Sequence, residues 1–330
     1  MKSFYKLTPT GKARRLHRLA LNALSHYDLD VADLRLITLE TNAIFRIRTF
    51  TGDKWILRVT SPEGGHTADH ITAEVDWLSA LARETKMQVP KPLPAHCGDL
   101  MIKASAAGVP ESRFCVIFSW LPGDNLSAHL TLHNVSLLGE LSARLHKHAL
   151  TYHPPANLEL LIYNQPCPFP EPLLLFDVPS TSLFSGAQQY LFNHWFERIQ
   201  NALDWLASRG GPMRIIHGDL HQWNVRYFRG LLTPFDFEDL MWGWPVQDIA
   251  TSLYYFIDRP DFPEMRSAFE EGYRKVCPWP EHYYGEINTF IASRGIGLLN
   301  LVLNYGDRWR IDPQKFALRI EGRLQQLTAP

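Results

Sequence analysis

Apolar positions in the first third of the chain change period twice. "FRIRTF" (45–50) alternates apolar and polar residues, "TGDK" (51–54) breaks the run, and "WILRVT" (55–60) resumes it, so the pattern predicts a β-hairpin. From Thr67 to Arg83 the spacing becomes helical: Ile71, Val75, Leu78 and Leu81 fall on one face, with Thr67 or Asp69 placed to cap it. "VPKPLPAH" (89–96) reads as a proline-rich bridge, "RFCVIFSWL" (113–121) as a buried strand, and "PGDN" (122–125) ends that strand. Helical spacing then dominates. Leu137, Leu141 and Leu145 share a face in 136–149, and a long helix is predicted over 188–208. Residues 151–185 are rich in proline and hold no period; a loop of that length in a globular chain is often functional. From about Val246 onward the chain is again helical and aromatic-rich. The order predicts a small lobe with a sheet, an extended connection and a larger helical lobe.

Bulk properties narrow the class. The chain has 330 residues, 45% hydrophobic and 20% charged, with a net charge of −1, an ordinary globular composition. No basic surplus points to a nucleic-acid partner; "GKARRLHR" (11–18) reads as the solvated face of a first helix. Cys97, Cys115, Cys167 and Cys277 are scattered without a CxxC pair, which argues against a disulfide framework or a thiolate zinc site, and Cys115 in "FCVIF" reads as a small core residue. "MKSFYKLTPTGKARR" lacks the apolar core of a signal peptide and no run of 18 apolar residues occurs, so the expected setting is cytoplasmic and reduced, with no membrane partner.

The chemistry concentrates in "IIHGDLHQWNVRYFRGLLTPFDFED" (215–239). "VRYF" (225–228) and "LLTPF" (231–235) flank Arg229-Gly230, a two-residue hairpin signal. Folding about that turn brings Asn224 toward Asp236 at the open end, with Asp219 five residues before Asn224 in the loop that feeds the first strand. Asp and Asn oxygens are hard ligands and suit Mg²⁺. The spacing D-x-x-x-x-N followed by D-F is that of a kinase catalytic loop and metal aspartate. Three readings compete with it. "HGDLH" could belong to a zinc site, but no second His/Asp cluster accompanies it. A serine hydrolase would need G-x-S-x-G, which is absent. Any single acid could merely cap a turn, but four residues at this spacing argue against that for the set.

"HGDLHQWN" with "DFED" resembles the aminoglycoside phosphotransferase/choline kinase superfamily, in particular its bacterial homoserine-kinase-type-II-like members. The resemblance spans roughly residues 35–300. It implies an α+β, protein-kinase-like two-lobed fold: a nucleotide-binding lobe over 1–119, opening with a helical segment over 1–34, and a mainly helical catalytic and substrate-binding lobe over 120–330. It implies transfer of phosphate from ATP, with Mg²⁺, to a hydroxyl of a small molecule. Residue by residue, Asp219 is the catalytic aspartate, His217 braces the loop, Asn224 and Asp236 bind metal, and Asp248 in "PVQDIA" steadies the loop from behind, a place that also suits a helix cap.

The small lobe offers independent support. Arg58 sits in an otherwise apolar strand and Glu74 near the apolar edge of the 67–83 helix, and each is costly there unless they pair. The pair would supply the cation a kinase holds on the phosphates, with arginine in place of lysine. "TLETNAIFRI" (38–47) lacks the glycines of a phosphate loop, leaving Asn42 to make the tight turn. "VIFSWLPG" (116–123) fits the hinge, so adenine is expected near Phe118, Ser119 and Trp120.

Glu238, Asp239, Trp242 and Trp244 follow the metal aspartate, and acids beside aromatics suit an ammonium. The expected acceptor is therefore amino-bearing, of the homoserine, choline/ethanolamine or aminoglycoside type. A protein Ser/Thr kinase of the same fold and a silent nucleotide-binding regulator are the alternatives.

Overall fold

The structure is a computed structural model that describes residues 3–62 and 65–328; the outermost positions of both expected lobes lie outside the described residues. The chain divides into two compact units. The first comprises residues 1–123 together with two short returns, 154–159 and 233–238, and the second comprises the remainder.

The first unit opens with helix α1 (Pro9–Leu24), whose N-cap Thr8 accepts from the Gly11 amide. Strands β1 (Val31–Leu39), β2 (Ala43–Thr49) and β3 (Lys54–Val59), helix α2 (Ala68–Glu84), and strands β4 (Ile102–Ala104) and β5 (Arg113–Ser119) follow. The five strands form one antiparallel sheet in the order β1-β2-β3-β5-β4. The predicted hairpin is the β2–β3 pair, with Ile44 opposite Arg58. Thr67 caps α2, accepting from the His70 amide, and Ile71, Val75, Leu78 and Leu81 are all buried. Alternation buries Phe45, Ile47, Leu57, Cys115 and Ile117 in a core that α1 closes with Leu16, Leu19 and Ala23. The proline-rich bridge runs along β5: Leu93 N–H donates to Ile117 O at 2.8 Å, and Ser119 N–H to Lys91 O at 2.9 Å.

The second unit begins with strand β6 (Asp124–Asn125), where the sequence predicts only a break, and helix α3 (Leu132–His148). Leu141 and Leu145 are buried on α3 as expected, but Leu138 rather than Leu137 completes the face. After the one-turn helix α4 (Val178–Thr181) come α5 (Gly186–Arg209), strands β7 (Arg214–Ile216), β8 (Val225–Phe228), β9 (Leu231–Pro234) and β10 (Met241–Gly243), and helices α6 (Pro245–Tyr254), α7 (Phe262–Arg274), α8 (Glu286–Trp309) and α9 (Pro313–Thr328). Two small sheets sit among these helices, β7 with β10 and β6-β8-β9.

Helices α3 and α7 cross in contact. A Cβ on Gly272 would stand 1.8 Å from Ser136 O, so only glycine permits the approach. The 160–185 stretch takes little secondary structure of its own and is tied down by side chains instead. Asn300 of α8 accepts from Leu174 N–H and donates to Pro172 O, at 2.8 and 3.0 Å, and Gln247 donates to Tyr163 O at 2.8 Å. These bonds satisfy backbone groups that helix or sheet would otherwise satisfy.

Candidate active site

In the second unit, β7 delivers the chain into the loop from His217 to Asn224, and β8 carries it away. Arg229 and Gly230, at φ 50° and 82°, make the two-residue turn that joins β8 to β9. Helix α6 holds the loop from one side. Asp248, fully buried, accepts from His217 N–H at 2.9 Å, Gly218 N–H at 2.8 Å and His146 Nε2 at 3.1 Å. One turn later Ser252 Oγ donates to Leu220 O. Asp248 thus braces the loop but does not cap α6. It lies inside the helix, and Gln247 Oε1 instead accepts the Trp244 N–H at 2.8 Å. Burial alone would push the Asp248 carboxyl up, but His146 and His217 outweigh it and hold it low. Gly218 at φ 79° passes so close to the next segment that a Cβ would stand 2.2 Å from Asp239 O.

This frame presents Asp219, its side chain 18% exposed. The His217 Nδ1 accepts the Asp219 N–H at 3.4 Å, a bond within the loop itself. Asn224 Nδ2 donates to Asp219 Oδ2 at 2.9 Å and to its carbonyl at 3.0 Å. His221 Nε2 stands 3.3 Å from the same Oδ2, while its Nδ1 accepts from Trp223 N–H at 3.2 Å. That acceptor bond leaves the His221 proton on Nε2, directed at Asp219. His221, which as a metal ligand has no partners in the sequence, therefore has a role on the aspartate itself.

Arg294 of α8 completes the set. Its Nη2 pairs with Asp219 Oδ1 and donates to Tyr255 OH at 2.8 Å. Burial would raise the Asp219 carboxyl, but Arg294, His221 and His217 together hold it well below the usual carboxylate range. Arg294 is the one charge between Glu286 and Asp307, a local sign of a buried partner, but at 75 residues from Asp219 the pattern does not say which.

The first unit carries the other half of the predicted residues. Arg58 and Glu74 meet as a two-pronged pair, Nη1 to Oε1 at 2.9 Å and Nη2 to Oε2, with side chains 6% and 2% exposed. The Arg58 guanidinium lies 5.3 Å from the Phe118 ring centre. Burial would lower the Arg58 pKa, but Glu74 and Glu238 outweigh it and Asp236 adds to them. Asp236 is exposed and left-handed, at φ 66°. The next residue, Phe237, is fully buried with its ring edge-on to Trp77 at 5.4 Å.

Asn42 lies in the turn between β1 and β2, which it makes without a left-handed backbone. Its Oδ1 accepts Ser61 N–H at 3.0 Å and its Nδ2 donates to Glu238 at 2.6 Å. Glu238, expected beside the substrate, belongs to the first unit and also stands 3.4 Å from Arg58. Trp244 is 3% exposed and its indole donates to Gly211 O at 3.0 Å, so it is a core residue; Trp242 sits within β10, paired with Ile215. Asp239 lies in the second unit and adds to the negative field on Arg294. Ser119 engages both its N–H and its Oγ with Lys91, at 2.9 Å each, and so anchors the bridge to β5. Trp120 is half-buried, with Lys54 Nζ 5.7 Å from its ring centre.

Comparison with known proteins places the chain in a family and matches its fold. Residues 35–284 match the phosphotransferase enzyme family. An uncharacterized protein of Synechocystis sp. (strain ATCC 27184 / PCC 6803 / Kazusa) is 27% identical over 329 residues, covering 94% of this chain and 85% of its own. A microcompartment-associated aminopropanol kinase shares the fold at TM-score 0.73, with 22% identity over 94% of this chain and 95% of the other. An amicoumacin kinase solved with AMP-PNP and Ca²⁺ does so at TM-score 0.75, with 18% identity over 97% and 96%. The α+β fold is thus that of the kinase-like phosphotransferases. With the family matched over most of its length and the HGD loop built around Asp219, this chain belongs to the phosphotransferase enzyme family and is a small-molecule phosphotransferase.

Proposed function

We propose that the chain moves the γ-phosphoryl group of ATP, with Mg²⁺, to a hydroxyl of a small amino-bearing molecule. The observation that carries this reading is Asp219, held ionised and oriented by Arg294, Asn224 and His221 in a loop braced by Asp248. In the transfer, the acceptor oxygen bonds to the γ-phosphorus as the bond to the bridging oxygen breaks. ADP leaves, and the hydroxyl proton passes to Asp219. A carboxylate this firmly ionised acts first by aligning the hydroxyl, which suits a loose transfer in which little proton movement is needed early.

The side-chain oxygens of Asn224 and Asp236 are each of the kind a hard cation takes. Asn224 directs its Nδ2 to Asp219, leaving Oδ1 as its ligand atom, and Asp236 presents an exposed carboxylate in the first unit. Mg²⁺, when bound, neutralises phosphate charge. Arg58, fixed by Glu74, supplies the cation for the nucleotide phosphates, with adenine near the Phe118–Trp120 segment.

For the acceptor, Glu238 is engaged by Asn42 and Arg58 in the first unit, and Asp239 is the acid of this proposal. Trp223, 44% exposed, adds an aromatic face one residue before Asn224, its ring edge-packed on His221 and Tyr255 at 5.4 and 5.2 Å. The aminopropanol kinase of the same fold is named for an amino alcohol. An ATP-consumption screen across amino alcohols, sugars and aminoglycosides tests the reading: amine-bearing acceptors should turn over, and a clear preference for neutral alcohols sinks the amine assignment. Labelling of polypeptides alone would move the protein to the protein kinases, and binding of Mg²⁺–ATP without any turnover to the silent regulators.

A further inference from the structure

The Asp219 carboxylate has about four lone-pair directions in its plane. Asn224 Nδ2 and His221 Nε2 approach Oδ2 at 2.9 and 3.3 Å, and Arg294 Nη2 pairs with Oδ1. Among the described residues three directions are therefore filled, all from within the second unit, and one remains, on Oδ1. Arg294 is itself held rigidly. Its side chain is 12% exposed, its Nη2 reaches Tyr255 OH at 2.8 Å, and its guanidinium lies 5.7 Å from the Tyr255 ring centre. Tyr255 in turn packs edge-on against His221 at 4.5 Å, so the two groups on opposite oxygens of Asp219 are tied to one aromatic ring.

We infer that Arg294, seated by Tyr255, is a positioning residue that fixes the rotation of the Asp219 carboxylate and leaves a single direction on Oδ1 for the acceptor hydroxyl. This rests on the phosphotransfer reading above. Without the guanidinium, Oδ1 offers two directions instead of one, and only the Asn224 and His221 contacts on Oδ2 still hold the carboxylate against rotation. The acceptor still binds through its remaining groups, but its oxygen is less often in line with the phosphorus. The expected signature is a fall in kcat with little change in KM for ATP, since a displacement of about 1 Å at the reacting atoms can cost roughly 10²-fold.

The test compares R294M, R294K and Y255F with the parent protein, using the acceptor that the screen identifies. R294M should lower kcat about 10²-fold at unchanged KM for ATP. R294K should recover part of the loss because an ammonium restores a single donor to Oδ1. Y255F should give a smaller loss in the same direction. Equal kcat for R294M and the parent overturns the inference, as does R294K no better than R294M. A parallel rise in KM for ATP also overturns it, since a general structural defect would produce that. A readout independent of turnover runs alongside: thermal unfolding of R294M, D219N and the double variant, where the ion pair requires non-additive shifts in Tm and strict additivity refutes it. A parent with no acceptor-dependent ATP consumption sinks the functional reading instead, and the Tm cycle still decides whether Arg294 holds Asp219.

Discussion

Replacing Glu74 with Gln tests the first unit most severely. The Arg58 and Glu74 side chains are 6% and 2% exposed, so neither charge can be rehydrated without opening the sheet from α2. E74Q keeps the volume but removes the anion, and Arg58 is left with Glu238 at 3.4 Å as its nearest carboxylate. Breaking a buried pair from one side costs about 3–5 kcal/mol, because the other charge is stranded. Glu238 offsets some of this, so a loss near the lower end, about 3 kcal/mol, is expected for E74Q. That corresponds to roughly two powers of ten in the unfolding equilibrium. Urea unfolding followed by circular dichroism measures it, with R58M and R58M/E74L as companions. The double variant strands neither member of the pair, Glu238 keeping its bond from Asn42, and should lose less than the sum of the two single losses. Activity should fall with the pair, chiefly as a higher KM for ATP. The reasoning is refuted if E74Q unfolds within about 0.5 kcal/mol of the parent, the range of an ordinary surface change.

Other predictions separate the roles of the remaining residues. D219A should reduce kcat by about 10²–10⁴-fold while sparing ATP binding, whereas D236A should weaken Mg²⁺-dependent nucleotide binding itself, both read by calorimetry and initial rates. G218A forces a side chain onto a backbone at φ 79° with Asp239 O 2.2 Å away, so both Tm and kcat should drop; an unchanged Tm would mean the loop yields there. Asp258 is hydrogen-bonded by Arg323 and Arg319, which lower its carboxyl from 3.8 to about 2. A depressed carboxyl stabilises the fold above its ordinary value and loses that contribution as pH falls from about 4 toward 2. D258N should therefore flatten the stability–pH curve in that window, and an unchanged curve would show that the clamp contributes nothing.

How much was legible in advance follows from the range of the forces involved. The β2–β3 hairpin, the capped α2 helix and the long helices were readable because a local period of two or of 3.6 is imposed by the backbone itself. The Arg58–Glu74 pair was readable because a charge in an apolar pattern demands a partner, and two such charges stood on neighbouring elements. The HGD loop was readable because its residues lie within a few positions of one another.

Other features depended on chain segments meeting from far apart. Strands β7 and β10 are three residues each and form only because they find one another across 24 intervening residues. Glu238 stands beside aromatics in the sequence, and its partners Asn42 and Arg58 come from 196 and 180 positions away. The sequence by itself determined the β2–β3 hairpin, the long helices and the family, because each is encoded in short-range spacing. Only the tertiary structure decided which groups hold the Asp219 carboxylate, because Arg294 on α8 and Tyr255 at the C-cap of α6 sit in local patterns that report burial and carry no information about what they are buried against.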